Sequence, residues 1–61
     1  MGERSVKTRI QSRWLSRNRH IEYRLGRGGY YKVTNRTGHV LCSARGYVSP
    51  QLVAQVIREE T

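Results

Sequence analysis

One cysteine, one proline and four acidic residues are all that this 61-residue chain holds of those types, and it has no long apolar run. A lone Cys42 excludes a disulfide within the chain and fits a reducing compartment. Nothing approaches the roughly 18 consecutive apolar residues of a membrane-spanning helix, and no signal-peptide pattern opens the sequence. A cytoplasmic protein without membrane contact is therefore expected. His20, His39 and Cys42 are too few for a four-ligand zinc site and match no familiar spacing. Glu3, Glu22, Glu59 and Glu60 form no evident acid–base pair. A chain this short buries only about 60% of the surface its unfolded form exposes, which leaves little material to frame a catalytic cleft. The expectation is a non-enzyme with no metal, cofactor or small-molecule substrate.

What the chain has in excess is positive charge. Twelve Lys and Arg stand against four acids, a net charge of +8. Residues 1–45 carry eleven of those cations and two Glu, whereas residues 46–61 carry Arg58 against Glu59 and Glu60. Ten of the twelve are Arg, whose planar fork of donors suits phosphate oxygens and guanine edges. Such a balance points to nucleic acid, with an acidic protein surface or a basic surface that only aids solubility as the alternatives.

Residues 1–20 form a basic segment with little apolar content. Val6, Ile10 and Trp14 recur at spacing four, with Leu15 beside them, which allows a weak helix over residues 5–17. A flexible arm that orders on nucleic acid fits the same composition. Either way, Trp14 is expected to anchor in the core, as a lone Trp in a tiny domain usually does, with stacking on a base as the alternative.

The remainder, residues 21–61, reads as one sheet-plus-helix domain. Residues 21–25 alternate apolar and polar, as a half-buried strand does. The glycine cluster 26–29 lacks the spacing of a phosphate-binding loop and reads as a tight turn. A second strand runs from Tyr30 to Thr34 and a third from His39 to about Ala44, joined by a turn in which Gly38 takes a positive φ. In that register Tyr31, Val33, Val40 and Cys42 share an apolar face, and Tyr30, Lys32, Thr34, His39, Leu41 and Ser43 share a polar one. Ser49-Pro50 is a helix start, with Ser49 as cap and Pro50 in the first turn. Leu52, Val53, Val56 and Ile57 then recur on one helical face. This helix, over about residues 50–59, is expected to cover the apolar face and to fray where Glu59 and Glu60 oppose its dipole.

These placements assign a surface. Arg24, Arg27, Lys32, Arg36 and Arg45 fall on the sheet or its turns, and each phosphate they contact would release counterions. Tyr30, Lys32, Thr34 and His39 occupy strand positions able to reach base edges in a groove. Tyr31 is expected to pack inward. Arg4, Lys7, Arg9 and Arg13 on the N-terminal segment would track a backbone or enter a minor groove.

Gly29-Tyr30-Tyr31, Arg36-Thr37-Gly38 and the apolar strand and helix that follow resemble the N-terminal arm-binding domain of lambda-type tyrosine-recombinase integrases. The resemblance covers about residues 21–60 and rests on short motifs. It implies a three-stranded antiparallel sheet backed by a C-terminal helix, with Tyr30, Lys32, Thr34 and Arg36 on a DNA-facing side. The chain departs from that family in its longer N-terminal segment and in having no recombinase catalytic domain, so an integration role does not carry over. A second stretch, residues 37–43 with Arg45-Gly46-Tyr47 and a short helix, is similar to small bacterial ββα repeat proteins of no established activity.

The expectation is thus an α+β domain, a three-stranded antiparallel sheet packed on a C-terminal helix, with a basic N-terminal arm or short helix. Its expected role is non-catalytic binding of nucleic acid in a phage or mobile-element setting, duplex DNA ahead of RNA. The alternative is a small interaction or inhibitor protein that binds an acidic surface of a host protein.

Overall fold

The structure, a computed structural model, describes residues 9–61. The expectations for Arg4, Lys7 and the first turn of the N-terminal segment lie outside the described residues. Four strands and one helix follow in order: β1 (Gln11–Ser16), β2 (Arg19–Arg24), β3 (Gly26–Thr34), β4 (Val40–Val48) and α1 (Pro50–Glu60). The strands form one antiparallel sheet in sequence order, so each neighbours the next and β1 and β4 are its edges. The α+β class with a C-terminal helix matches the sequence reading, but the sheet has four strands rather than three.

The extra strand is β1. It occupies residues read from the sequence as an arm or helix. Its register places Arg13 opposite Ile21 and Trp14 opposite His20, and a bulge falls at Leu15. Leu15, on the same side as Arg13, reaches the core while the rest of the strand stays exposed. Period-two pairing against β2 satisfies a backbone that a single narrow apolar stripe could not hold as an isolated helix. The β1–β2 turn spans only Arg17 and Asn18, with Ser16 paired to Arg19.

The β2–β3 reversal uses the glycine cluster. Arg24 pairs with Tyr30, and Gly26 already pairs with Val48 of β4, with a bulge between Gly26 and Gly29. Gly26 and Gly28 hold positive φ of 92° and 73°. Gly29 is buried for a different reason: a Cβ there would lie 2.1 Å from the Arg24 carbonyl oxygen. The β3–β4 turn closes with Asn35 N donating to the His39 carbonyl and Gly38 N donating to the Asn35 carbonyl, both at 3.0 Å. Gly38 has φ 92°, the left-handed residue expected of a three-residue hairpin loop.

A bulge at Leu41 corrects one expectation about faces. Val33 pairs with Cys42, but Thr34 pairs with Val40. The extra residue reverses the alternation, so Val40 lies on the outer side, 55% exposed, instead of on the apolar face;. The inward set is Ile21, Val33 and Val48 from the sheet and Val53 and Val56 from α1, flanked by Leu15, Tyr23, Leu25, Tyr31, Cys42, Leu52 and Ile57. Tyr31 packs against this core as expected. Trp14 does not; it is 58% exposed on the other face.

α1 begins as its sequence signals. Ser49 is extended, and its Oγ accepts from Leu52 N at 3.1 Å. The far end runs through Glu60, whose carboxylate sits 3.5 Å from Arg19 Nε at the start of β2. That cation answers the unfavourable charge at the helix end.

Candidate functional site

Because α1 covers one face of the sheet, the other is left open. The register sorts its side chains into three cross-strand rows. One row holds Arg24, Tyr30 and Arg45. The next holds Ser12, Glu22, Lys32 and Ser43. The third, nearest the β3–β4 turn, holds Trp14, His20, Thr34 and Val40. Neighbouring rows are about 7 Å apart, two residues along a strand.

The first two rows make a shallow depression lined by Glu22, Tyr30, Lys32, Ser43 and Arg45, with Tyr31 and Ala44 at its floor. Glu22 is the one acid in these rows, directly opposite Lys32 in the ladder. It accepts a hydrogen bond from the Tyr30 hydroxyl. That hydrogen bond, then burial, then the Glu22 charge raise the Tyr30 phenol above its ordinary value of 10.0, and Arg24 opposes them. The phenol therefore stays protonated at any physiological pH, with its one O–H given to Glu22 and its oxygen left to accept;.

The third row differs. The Trp14 and His20 rings meet edge to face, with centroids 4.9 Å apart and planes at 62°. Trp14 also lines a second shallow hollow with Ser16, Arg17 and Arg36. Arg36 reaches it from the β3–β4 turn, whose shape depends on Asn35. The Asn35 Oδ1 accepts from Thr37 N, Thr37 Oγ1 and His39 N at 3.0, 2.7 and 3.0 Å.

Of the residues assigned from sequence, the fold gathers Arg24, Tyr30, Lys32, Thr34 and Arg45 on the open face. Arg36 and His39 stand at the exposed β3–β4 turn at its end, where His39 Nδ1 lies 3.2 Å from Thr37 Oγ1. Arg27 lies in the exposed bulge at the opposite end. Arg13 is not with them, since its register partner Ile21 points to the core side, and Arg9 precedes β1, exposed. Sequence reasoning missed Glu22, Arg17 and the outward Trp14. The alternation of residues 21–24 was a usable signal for Glu22, since it puts Glu22 and Arg24 on the same side.

Cys42 sits on the helix side, where burial and then the charges of Glu60 and Glu59 push its thiol up. It stays protonated near neutrality and is a poor nucleophile. Among the described residues no group of three or more His, Cys, Asp or Glu could hold a metal ion, and no helix is long and apolar enough to cross a membrane. No protein-family model, curated protein or solved structure matches the chain.

Proposed function

We propose that the chain is a non-catalytic nucleic-acid-binding module that grips its ligand with the open face of the sheet. The observation that carries this reading is the row Arg24–Tyr30–Arg45 beside Lys32, set on the face that α1 leaves bare. Cations there meet phosphate, while Tyr30, Thr34 and Ser43 offer hydroxyls to sugar and base edges. Duplex DNA is the leading ligand. Four strands span about 14 Å before side chains are added, wider than the roughly 12 Å major groove. The sheet therefore enters by its β3–β4 side, two strands wide, with Lys32 and Arg45 foremost and Arg36 at the tip. The integrase arm-binding resemblance supports the same mode, and a phage or mobile-element origin goes with it.

The test is a salt titration of binding to duplex DNA, duplex RNA and single strands by fluorescence anisotropy. Tight binding to duplex DNA that weakens steeply with salt is expected. Weak binding equal across all three at physiological salt overturns the reading.

A second reading rests on Val40 and Leu41, 55% and 44% exposed at the sheet edge. Exposed apolar residues beside a basic face also suit an acidic protein partner. Failure of the titration would turn the search to that class.

A further inference from the structure

The third row of the open face is chemically unlike the other two, and phosphate binding leaves it unexplained. Trp14 is the only tryptophan of the chain. It sits on an edge strand with more than half its surface exposed, and it touches His20 only edge to face. Among the described residues the indole thus stands largely exposed beside Arg17 and Arg36, which share its hollow. No carboxylate among the described residues lines that hollow. An apolar protein segment would satisfy the indole and leave both cations unused. A nucleotide satisfies all three, since a base presents a π-face and its phosphate a negative charge.

We infer that Trp14, Arg17 and Arg36 form a stacking site for an unpaired base, so that the protein prefers a duplex with a single-stranded extension over a fully paired one. This rests on the nucleic-acid reading above. A base inside a duplex is stacked on its neighbours and cannot lie flat on Trp14, so only an unpaired nucleotide can use the site. The geometry joins the two contacts. Trp14 lies two rows from Arg24, Tyr30 and Arg45 and one, two and three strands away from them in turn, about 14 to 20 Å by row and strand spacing, or about four to six steps of 3.4 Å along a nucleic-acid strand. One ligand can therefore hold its paired part against Lys32 and Arg45 and lay its first unpaired base on the indole.

The sole tryptophan makes the test direct. The whole chain is titrated with a blunt DNA duplex, the same duplex carrying a short single-stranded overhang, and the overhang strand alone. Anisotropy of a label on the DNA reports binding, and Trp14 fluorescence reports stacking. The overhang duplex is expected to bind more tightly than the blunt one and to quench Trp14, whereas the blunt duplex binds with little quenching. Trp14→Ala should weaken overhang binding by roughly 5- to 150-fold and leave the blunt duplex unchanged. Trp14→Phe, which keeps a ring, should recover part of the loss, and the joint Arg17→Ala, Arg36→Ala variant should reduce quenching. Because Trp14 lies outside the core, these variants should retain the wild-type circular dichroism spectrum.

Equal binding of blunt and overhang duplexes without quenching overturns the stacking site and leaves the nucleic-acid reading standing. Absence of binding to all three overturns both. Quenching by the lone strand as strong as by the overhang duplex keeps the stacking site and overturns the duplex part of the reading.

Discussion

Glu22 accepts the hydrogen bond of the Tyr30 hydroxyl on the open face of the sheet, one row away along the ladder. The single acid in the basic rows is thus engaged with a phenol while standing opposite Lys32.

That relationship has a pH signature. Tyr30 is held above its ordinary value chiefly by the Glu22 bond. A group with a raised folded-state pKa adds stability that is fully present below the unfolded value, about 10, and lost as pH rises through the folded value. In a spectrophotometric alkaline titration of the four tyrosines, Glu22→Gln should move one of them down. It should also tighten nucleic-acid binding by removing the one negative charge of the face. An unchanged titration would remove Glu22 as the cause.

Lys32 and Arg45 can be tested against a control on the helix. Each alanine substitution should make the slope of log affinity against log salt less steep by about 0.9, the loss of one phosphate contact. Arg58→Ala, on the exposed side of α1, should leave the slope as it was. Equal slopes in all three variants would take the open face out of the interface.

Gly29 is far less replaceable than its neighbour Gly28. Alanine there meets backbone at 2.1 Å, so the β2–β3 reversal must open. A loss of about 1–3 kcal/mol or more is expected, read as a fall in Tm of about 4–8 °C per kcal/mol at this chain length. Gly28→Asn should be far milder, because nothing lies within 4 Å of a Cβ there and Asn tolerates its φ of 73°;.

Asn35 organises the turn that presents Arg36. Asn35→Ala removes the acceptor of three hydrogen bonds and should lower stability by about 1–2 kcal/mol. Asn35→Asp, which keeps the acceptor oxygens, should retain most of it. Equal Tm values for the two variants would show that the turn holds by its backbone alone.

The parts of the fold legible in the sequence are those fixed by local chemistry. Ser49-Pro50 marks the helix start because a hydroxyl cap and a preset φ act within one turn. Gly38 marks the hairpin for the same reason, and the alternation around Ile21 and Val33 follows from period-two geometry. β1 was hidden because its residues are mostly polar and its turn, Arg17-Asn18, uses no positive φ and hence no glycine. Its one inward apolar side chain, Leu15, shares its side with the polar Gln11 and Arg13, so no apolar face announces a strand. The bulge at Leu41 concealed the true side of Val40. For the candidate site, the cations of β2, β3 and β4 were legible once the strands were placed. Trp14 and Arg17 were not, since both depend on β1.

The bulges also govern how the molecule meets its own copies. β4 is an edge, and a nine-residue open edge is a template on which another chain can add a strand. Irregularities interrupt it at both ends, at Leu41 and opposite residues 26–29. Regular pairing survives only from Cys42 to Gly46, and Gly46 itself holds φ 129°. An incoming strand finds only a short straight run, and that run carries the charged Arg45;. The irregularities that make the fold hard to read thus also shorten the straight edge that β4 offers to another chain;.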